Sequence, residues 1–451
     1  MVKKTKEMDM LNGPLLKKII LFALPLAASS ILQQLFNSAD VAVVGRFAGS
    51  DALAAVGGNG AVINLLINLF VGMSVGANVL IAGLIGKGQE KKINEAIHTV
   101  MSIALISGLV LIILGTAAAR PILLLMDTPP KVLDMAVLYL RIYFLGMPFI
   151  MVYNFGSAVL RSRGDTKRPL YCLIVSGIIN VCLNMLLVVG FDLSVLGVAI
   201  ATFVSNGVSA VMILYYLINE QGNMQLSLKK LSLKKEYILQ IIKIGVPAGV
   251  QGMVFSLSNV CIQTAINGFG TNAIAGSAAA VNYEFFTYFV TSAFCQAAVT
   301  FTSQNYGAGK TGRCRKVYWI CMILSVLVTE TMSIIFVIGR DFFAGIYTSH
   351  PADVKFAVIR MLHVQILECM PCLYEIPGGV LRGMGYSMTP AVLTLLGSCG
   401  LRIVWLMTVF KAKPSFETLM NVYPFTWLVT SILVIGAYYI VRKRAEGSMS
   451  F

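Results

Sequence analysis

The chain has 451 residues, of which 57% are hydrophobic and only 12% are charged, and its formal net charge is +15. Soluble domains carry about 25% charged residues, so the composition excludes an ordinary soluble protein and indicates an integral membrane protein. Its apolar runs reach the roughly 20 residues that a membrane-crossing helix needs. They lack the alternation of period two that a membrane β-barrel requires. The expected fold class is therefore all-α.

Twelve transmembrane helices are predicted from these runs. The first run follows a basic segment and is too long for a signal peptide, so we expect an uncleaved first span. The second and eighth runs are overlong, so we expect each to tilt strongly or to begin in an extracellular loop. The predicted spans are residues 17–43, 53–84, 93–118, 133–160, 169–190, 193–218, 238–265, 273–306, 317–339, 355–381, 390–410 and 421–441.

The basic residues predict the orientation of the chain. If the N-terminus lies inside and the chain crosses twelve times, most of the 35 lysines and arginines fall in cytoplasmic segments. This pattern satisfies the positive-inside rule and explains the net charge without a nucleic-acid partner. We expect a multi-pass protein of the cell membrane with both termini in the cytoplasm.

The second half of the sequence repeats the first at an offset of 221 residues. "GSDALAA" at 49–55 matches "GTNAIAG" at 270–276, and "VLRSRGDTKRP" at 159–169 matches "VLRGMGYSMTP" at 380–390. Since each half holds an even number of spans, both enter the membrane from the same side and form parallel pseudo-repeats, which are typical of secondary transporters. We predict an N-lobe (1–218), a basic cytoplasmic linker (219–237) that could contact lipid headgroups, and a C-lobe (238–451).

Several motifs carry no predicted chemistry. The nine cysteines lie mostly inside spans, where buried small hydrophobic residues are expected. The "CMPC" motif at 369–372 is interrupted by a proline and has no second CxxC, so we expect neither a redox nor a metal role. The three histidines are scattered, which disfavours an intramembrane enzyme. The glycine-rich loops lack a P-loop pattern. We therefore expect no enzymatic activity, no cofactor and no ATP-driven transport.

Asp40 is the only ionisable residue between Ile19 and Gly45. A carboxylate at the centre of a bilayer costs roughly 2.5–3.5 kcal/mol on insertion scales, so a functional role is the default interpretation. Gln33, Asn37 and Asp40 have the i, i+4, i+7 spacing of one helical face. This face predicts a polar surface on the first span.

Two further spans of the first half carry polar pairs at i, i+4 spacing. These pairs are Asn180 with Asn184, and Thr202 with Asn206. In lipid such residues must face each other or water, which predicts a small polar pocket around Asp40. The alternative is that these amides and hydroxyls only hold the helices together.

The parallel repeats, "LPLAASSILQQLFNSADVAVVGRFAG" in the first span, "GKGQ" and "GAGK" after spans 2 and 8, and "LRSRGDTKRP" after span 4 resemble the multidrug and toxic compound extrusion (MATE) transporters. The resemblance implies two six-helix lobes that form a V-shaped cleft. It also implies efflux of cationic or amphipathic small molecules, driven by an H⁺ or Na⁺ gradient. Asp40 and Pro25 resemble the DNA-damage-inducible (DinF-like) branch of that family.

The resemblance also assigns roles to single residues. In that branch an Asn and an Asp of span 5 and a polar residue of span 6 complete the cation site, and they correspond here to Asn180, Asn184 and Thr202. Asn184 departs from the usual Asp, so the site holds one carboxylate. The glutamate that the NorM-like branch has in span 7 is missing, whereas Glu284 corresponds to the family's glutamate in span 8.

H⁺ is the favoured coupling ion, because burial without a second acid favours a neutral Asp40. Na⁺ stays open as the alternative, bound by Asp40, Asn180, Asn184 and Thr202. Asn154 of span 4 is a further predicted contact for ion or substrate.

Pro25 removes a backbone hydrogen bond and predicts a hinge in the first span, and Pro247 does the same in span 7. In the second half, Glu284 is a candidate for attracting cations, and Glu–Arg pairing within the C-lobe is the alternative. We expect a monomer. A lipid-linked oligosaccharide flippase of the same superfamily is the rival function, although it would need a strongly cationic cavity.

Overall fold

The computed structural model describes residues 8–126, 128–348 and 350–449, and these residues contain no β-strand. The first seven residues of the basic N-terminal segment lie outside this description. The α-helices are α1 (Leu15–Phe47), α2 (Ser50–Gly58), α3 (Gly60–Gly86), α4 (Glu90–Leu125), α5 (Pro130–Leu145), α6 (Met147–Ser162), α7 (Lys167–Asn184), α8 (Ser194–Ile218), α9 (Lys235–Asn267), α10 (Thr271–Gly307), α11 (Thr311–Ile338), α12 (Arg340–Tyr347), α13 (Pro351–His363), α14 (Cys372–Gly383), α15 (Met388–Thr394), α16 (Leu401–Trp405), α17 (Phe416–Met420) and α18 (Val422–Met449).

The helices account for the predicted membrane crossings. Within the described residues, 10 helical stretches are long and apolar enough to cross a membrane, and two bent pairs bring the number to as many as 12. These pairs bend by 44° between α5 and α6 and by 46° at the break before α14. Pro148 lies at the start of α6 and Pro371 precedes α14. Proline lacks the amide hydrogen that a continuous helix needs, so spans 4 and 10 are bent rather than straight.

The two overlong runs differ from each other in the structure. The second run is divided at Asn59 into α2 and α3, and the Asn59 amide donates to the carbonyl oxygens of Ala55 and Ala136. The eighth run is one continuous helix of 37 residues, α10. One run is therefore broken near its start, at Asn59, which length alone did not predict, and the other stays helical throughout.

The chain forms two compact units, each with its own core. The first contains Ala28–Gly249, and the second contains Met10–Ala27 and the residues from Val250 onward. The first half of α1 thus belongs to the second unit and the first half of α9 to the first unit. In both helices the division falls within three residues of the internal proline, Pro25 or Pro247. The predicted lobe boundaries, 1–218 and 238–451, stay a prediction about the two repeats.

In the first unit, α3 and α9 pack backbone against backbone. Gly72 and Gly76 of α3 face Gly245 and Gly249 of α9, and a Cβ atom on any of the four would overlap backbone atoms of the other helix. Small residues spaced four apart allow such close approach in membranes. The two glycines of "GMSVG" (72–76) therefore allow α3 and α9 to pack closely. Pro247 lies between the two glycines of α9, so its helix is tightly held there.

We expect Gly245→Ala to destabilise the protein by about 2 kcal/mol, because overpacking a closed contact typically costs this much. The matched control is Gly436→Ala in α18, where a Cβ would meet no atom within 4 Å. Alanine favours a helix over glycine by about 1 kcal/mol, so this control should keep or raise the melting temperature. Thermal unfolding of both detergent-purified variants checks the prediction, and equal melting temperatures would contradict it.

The loop between α6 and α7 is held by an ion-pair cluster in the first unit. Glu220 accepts from Arg168 at 2.5 Å and lies 3.2 Å from Arg163, and Arg168 also lies 3.0 Å from Asp165. Desolvation raises the pKa of Glu220, but the hydrogen bond from Arg168 and the charges of both arginines outweigh it and hold that pKa below its ordinary value. The "LRSRGDTKRP" motif thus has a structural role at the end of α8.

Because its pKa is lowered in the folded state, Glu220 stabilises the protein above its ordinary pKa and loses this effect as the pH falls. We expect Glu220→Gln to cost about 2 kcal/mol at neutral pH, between typical values for exposed and buried pairs. The difference from wild type should shrink towards pH 4 in thermal unfolding. Glu236→Gln, at an exposed glutamate, is the control and should behave like wild type at both pH values.

Candidate functional site

Asp40 lies on the part of α1 that belongs to the first unit, and it contacts the end of α7. The Asn184 side-chain amide donates to its carboxylate Oδ1 at 2.5 Å. Asn184 is the last α-helical residue of α7, and Met185–Gly190 continues as a π-helical turn. Such turns occur frequently at functional sites. The structure therefore places the predicted acid and the predicted span-5 amide in direct contact.

The contact continues into a chain of polar groups that joins α1, α7 and α8. The Asn184 amide also donates to Asn180 Oδ1 at 3.2 Å, and the Asn180 amide donates to Ser205 Oγ at 3.4 Å. Ser205 in turn donates to the backbone oxygen of Thr202, at 3.0 Å. Asn180 and Asn184 are buried. These contacts form a chain of hydrogen bonds among residues that the sequence predicts near Asp40, hereafter the Asp40 network.

Two oxygens at the Asp40 network are buried without a hydrogen-bond partner among the described atoms: Asn184 Oδ1 and Thr202 Oγ1. A buried polar atom that lacks a partner costs about 1–3 kcal/mol. Thr202 lies one helical turn before Ser205, on the same side of α8. A carboxylate with nearby unsatisfied oxygens is a donor set suited to a proton or a small hard cation.

Other predicted residues lie apart from these contacts. Gln33 and Asn37 have exposed side chains on α1, although they share a sequence period with Asp40. The Asn154 amide donates to the carbonyl oxygen of Ile150 in its own helix. The face of α1 that meets α7 instead includes Phe36, whose ring occupies the space beside Gly177 that a Cβ would fill.

Glu284 lies in the second unit as one member of a buried salt bridge. Arg360 donates to both of its carboxylate oxygens, at 2.6 and 2.9 Å. A bidentate arginine already neutralises the charge that a free cation would seek. The alternative expectation, Glu–Arg pairing within the C-lobe, therefore describes Glu284 in this structure.

Sequence reasoning missed one member of the Asp40 network, Ser205, and two residues near it, Tyr139 and Tyr143. Ser205 was detectable, because it lies one turn from Thr202 on the same helix. Tyr139 and Tyr143 of α5 lie within electrostatic reach of Asp40. No sequence signal singled them out, since tyrosines are common throughout the spans.

A known protein family matches both halves of the chain. The MatE family model matches residues 25–186 and 247–408, once in each repeat. The chain belongs to this family, the MATE transporters. Its members are transporters rather than enzymes. Both matched ranges begin at the helix-internal prolines, Pro25 and Pro247, and the first range includes Asp40, Asn180 and Asn184.

Known proteins resemble this MATE protein over nearly its whole length. The probable multidrug resistance protein YoeA of Bacillus subtilis is 26% identical over 441 residues, covering 95% of each chain. Among solved structures, an outward-facing multidrug resistance MATE transporter of the MOP superfamily has a TM-score of 0.90 at 20% identity and 99% coverage of both chains. A MOP superfamily transporter from Pyrococcus furiosus, described as having a binding pocket of reverse polarity, also has a TM-score of 0.90, at 19% identity and full coverage.

Asn184→Asp should strengthen Na⁺ binding at least roughly tenfold, because it adds a second carboxylate at hydrogen-bond distance from Asp40. The measurement is the increase in melting temperature when KCl is replaced by NaCl, compared with wild type. Asn154→Asp is the matched control, since the Asn154 amide bonds within its own helix. A Na⁺ response equal in both variants would contradict the placement of Asn184 in an ion site.

Proposed function

We propose that this MATE protein is a secondary active efflux antiporter that exports organic cations in exchange for H⁺. The observation that carries the proposal is the Asp40 network, in which a single carboxylate on a proline-containing helix accepts from the buried Asn184 amide, and in which Asn184 and Thr202 each hold one unpartnered oxygen. The multidrug resistance name of its Bacillus subtilis relative supports drug-like substrates. We further propose a place in the DinF-like branch, on the strength of Asp40 and Pro25.

In the proposed cycle, a proton from outside reaches Asp40 while the transporter is open to that side. Protonation removes the negative charge that attracts a cationic substrate. It also changes the acceptor strength of the oxygen to which Asn184 donates. Since substrate and proton then favour different conformations of one site, each shifts the equilibrium against the other, and this is sufficient for coupling.

Pro25 supplies the proposed hinge. It removes one backbone hydrogen bond inside α1 and thereby weakens that helix. The weak point lies close to Ala27, where the chain passes from the second unit to the part of α1 that carries Asp40. A change at Asp40 can then bend α1 at low cost. Pro247 is proposed as the corresponding hinge of α9.

Na⁺ is the alternative coupling ion. Asp40, Asn180, Asn184 and Thr202 would supply its oxygen ligands, and the unpartnered oxygens of Asn184 and Thr202 fit that role. One carboxylate balances one Na⁺ charge. We favour H⁺ because the site lacks the second carboxylate that would strengthen the binding of a hard cation.

The proposal also covers the location, topology, oligomeric state and substrates of the transporter. We propose the cell membrane, both termini in the cytoplasm, and a monomer as the working unit. The substrates would be amphipathic cations, and membrane lipid would surround the spans.

Asp40→Asn should abolish efflux of a cationic dye from proteoliposomes under an imposed pH gradient, while wild type transports it. The amide keeps the size of the side chain but cannot exchange a proton. Asp134→Asn, at an exposed aspartate paired with Arg120, is the matched control and should transport like wild type.

The same vesicles under a Na⁺ gradient alone separate the two ions. Efflux of wild type only under this gradient would assign Na⁺ to the Asp40 network. Asp40→Asn protein that still accumulates or expels dye against its gradient would overturn the proposal. Absence of dye movement by wild type under either gradient would favour the flippase.

A further inference from the structure

Arg402 is the largest fully buried side chain of the described residues, and it has no role in the proposed cycle so far. It lies on α16, between two π-helical stretches at Leu395–Gly400 and Leu406–Phe410. Its guanidinium donates to Asn259 Oδ1 of α9 at 2.7 Å. Asn259 itself is exposed, so the buried cation lies directly beneath an accessible amide of the second unit.

Two aromatic rings complete the surroundings of this cation. The guanidinium carbon lies 4.9 Å from the ring centroid of Phe255 and 4.8 Å from that of Tyr423. Rings at this distance attract a cation through their quadrupole, and pairs of them are used to bind organic cations. Asn259, Phe255 and Tyr423 therefore form a cation cage, hereafter the Arg402 cage, and the protein's own arginine occupies it.

Acidic residues offset the buried charge. Glu368 is buried and lies within electrostatic reach of both Arg402 and Arg360. Arg360 is paired with Glu284 and also lies over the Tyr423 ring, at 5.4 Å. Arg360 thus has Glu284 as its ion-pair partner, and Arg360 and Arg402 contact the same tyrosine.

The internal repeat allows the Arg402 cage to be compared with the Asp40 network. Asp40 and Asn180 lie on the first and fifth spans of the first repeat, and Asn259 and Arg402 lie on the first and fifth spans of the second. Asn259 corresponds to Asn37 at an offset of 222, and Arg402 corresponds, to within one residue, to Asn180. Asn37 and Asn180 each lie one helical turn before Asp40 and Asn184, the two residues in contact in the first repeat. The same pair of spans is therefore joined by a carboxylate and an amide in one repeat, and by an amide and a guanidinium in the other.

We infer that Arg402 is a tethered cation that joins the first and fifth spans of the second repeat, one helical turn from the position at which an exchangeable cation would bind in the first. The inference rests on the proposed role of Asp40. Arginine stays protonated at any physiological pH, so no ion gradient can discharge this site. Its consequence is that, among the described residues, ion exchange takes place at the Asp40 network, while Arg402 fixes α9 to α16 as a positioning residue.

The test is chemical rescue of Arg402→Ala in the purified full-length protein. Removing the side chain should lower the melting temperature by several degrees, and methylguanidinium at roughly 10 mM should restore about half of that loss by binding the emptied cage. Methylurea, which has a similar shape but no charge, should restore nothing. Trp427, whose ring lies 5.7 Å from that of Tyr423, provides a fluorescence signal for the same binding.

Wild type and a second substitution keep the test decisive. Methylguanidinium should leave wild type unchanged, because Arg402 already fills the cage. If Arg402→Ala fails to fold, Arg402→Lys should keep most of the melting temperature and Arg402→Met should lose it. Equal recovery by methylurea, no recovery by either compound, or equal stability of the Lys and Met variants would overturn the inference.

The failure of this inference is distinguishable from the failure of the proposed antiport. Rescue is measured without transport, so it does not depend on Asp40. In Asp40→Asn protein, no Na⁺-dependent or H⁺-dependent change in Trp fluorescence should remain. A remaining change that Arg402→Lys alters would reveal a second exchangeable site and overturn the tethered-cation role, while loss of dye efflux in Asp40→Asn would still support the antiport.

Discussion

Hydrocarbon offers no partner to a polar group, and this constraint bears on where the buried polar side chains of the first unit can lie. Asp40 has the Asn184 amide, Asn184 has Asn180, and Asn180 has Ser205. Each group satisfies the next, so the helices that carry them must meet at these residues. These hydrogen bonds therefore help to hold α1 against α7 and α7 against α8.

The same constraint explains why two glycine pairs matter as much as the polar residues. Apolar side chains gain little by associating with each other when the surrounding lipid is equally apolar. Close backbone contact between α3 and α9 provides van der Waals packing in its place. The contact surrounds Pro247, where α9 lacks a hydrogen bond. The glycine contacts with α3 thus support α9 around Pro247, where α9 lacks a backbone hydrogen bond.

In each repeat a charged side chain joins the first span to the fifth, and the two charges have opposite signs. In the first, an acid is placed among amides and leaves two buried oxygens without partners. In the second, a guanidinium lies between an amide and two rings. A site that must release its ion needs weak and reversible contacts, whereas a site that only holds two helices together benefits from permanent ones. The asymmetry is what a duplicated protein would develop if only one repeat kept an exchangeable ion.

The sequence was most informative where one physical rule acts alone. Apolar length predicted the spans, and the scarcity of polar partners in lipid predicted that polar residues of spans 5 and 6 would lie near Asp40. It was least informative where side chains compete for partners from distant spans. Glu284 was a candidate for cations until Arg360, 76 residues later, supplied its partner. Gln33 and Asn37 share a helical face with Asp40, yet Phe36 makes the contact with α7, because ring packing against Gly177 sets the rotation of α1.

The single carboxylate of the Asp40 network has a thermodynamic consequence of its own. A second acid beside Asp40 would bind a cation more tightly, but it would also hold that cation through the rest of the cycle. One acid with amide neighbours gives up affinity, and release becomes correspondingly easier. The Asn184 amide donates to two oxygens at once, one of Asp40 and one of Asn180. An ionised carboxylate at this position could not donate to either. In the proposed cycle, an amide in place of a second acid leaves the site less strongly charged, and this favours release of the bound ion.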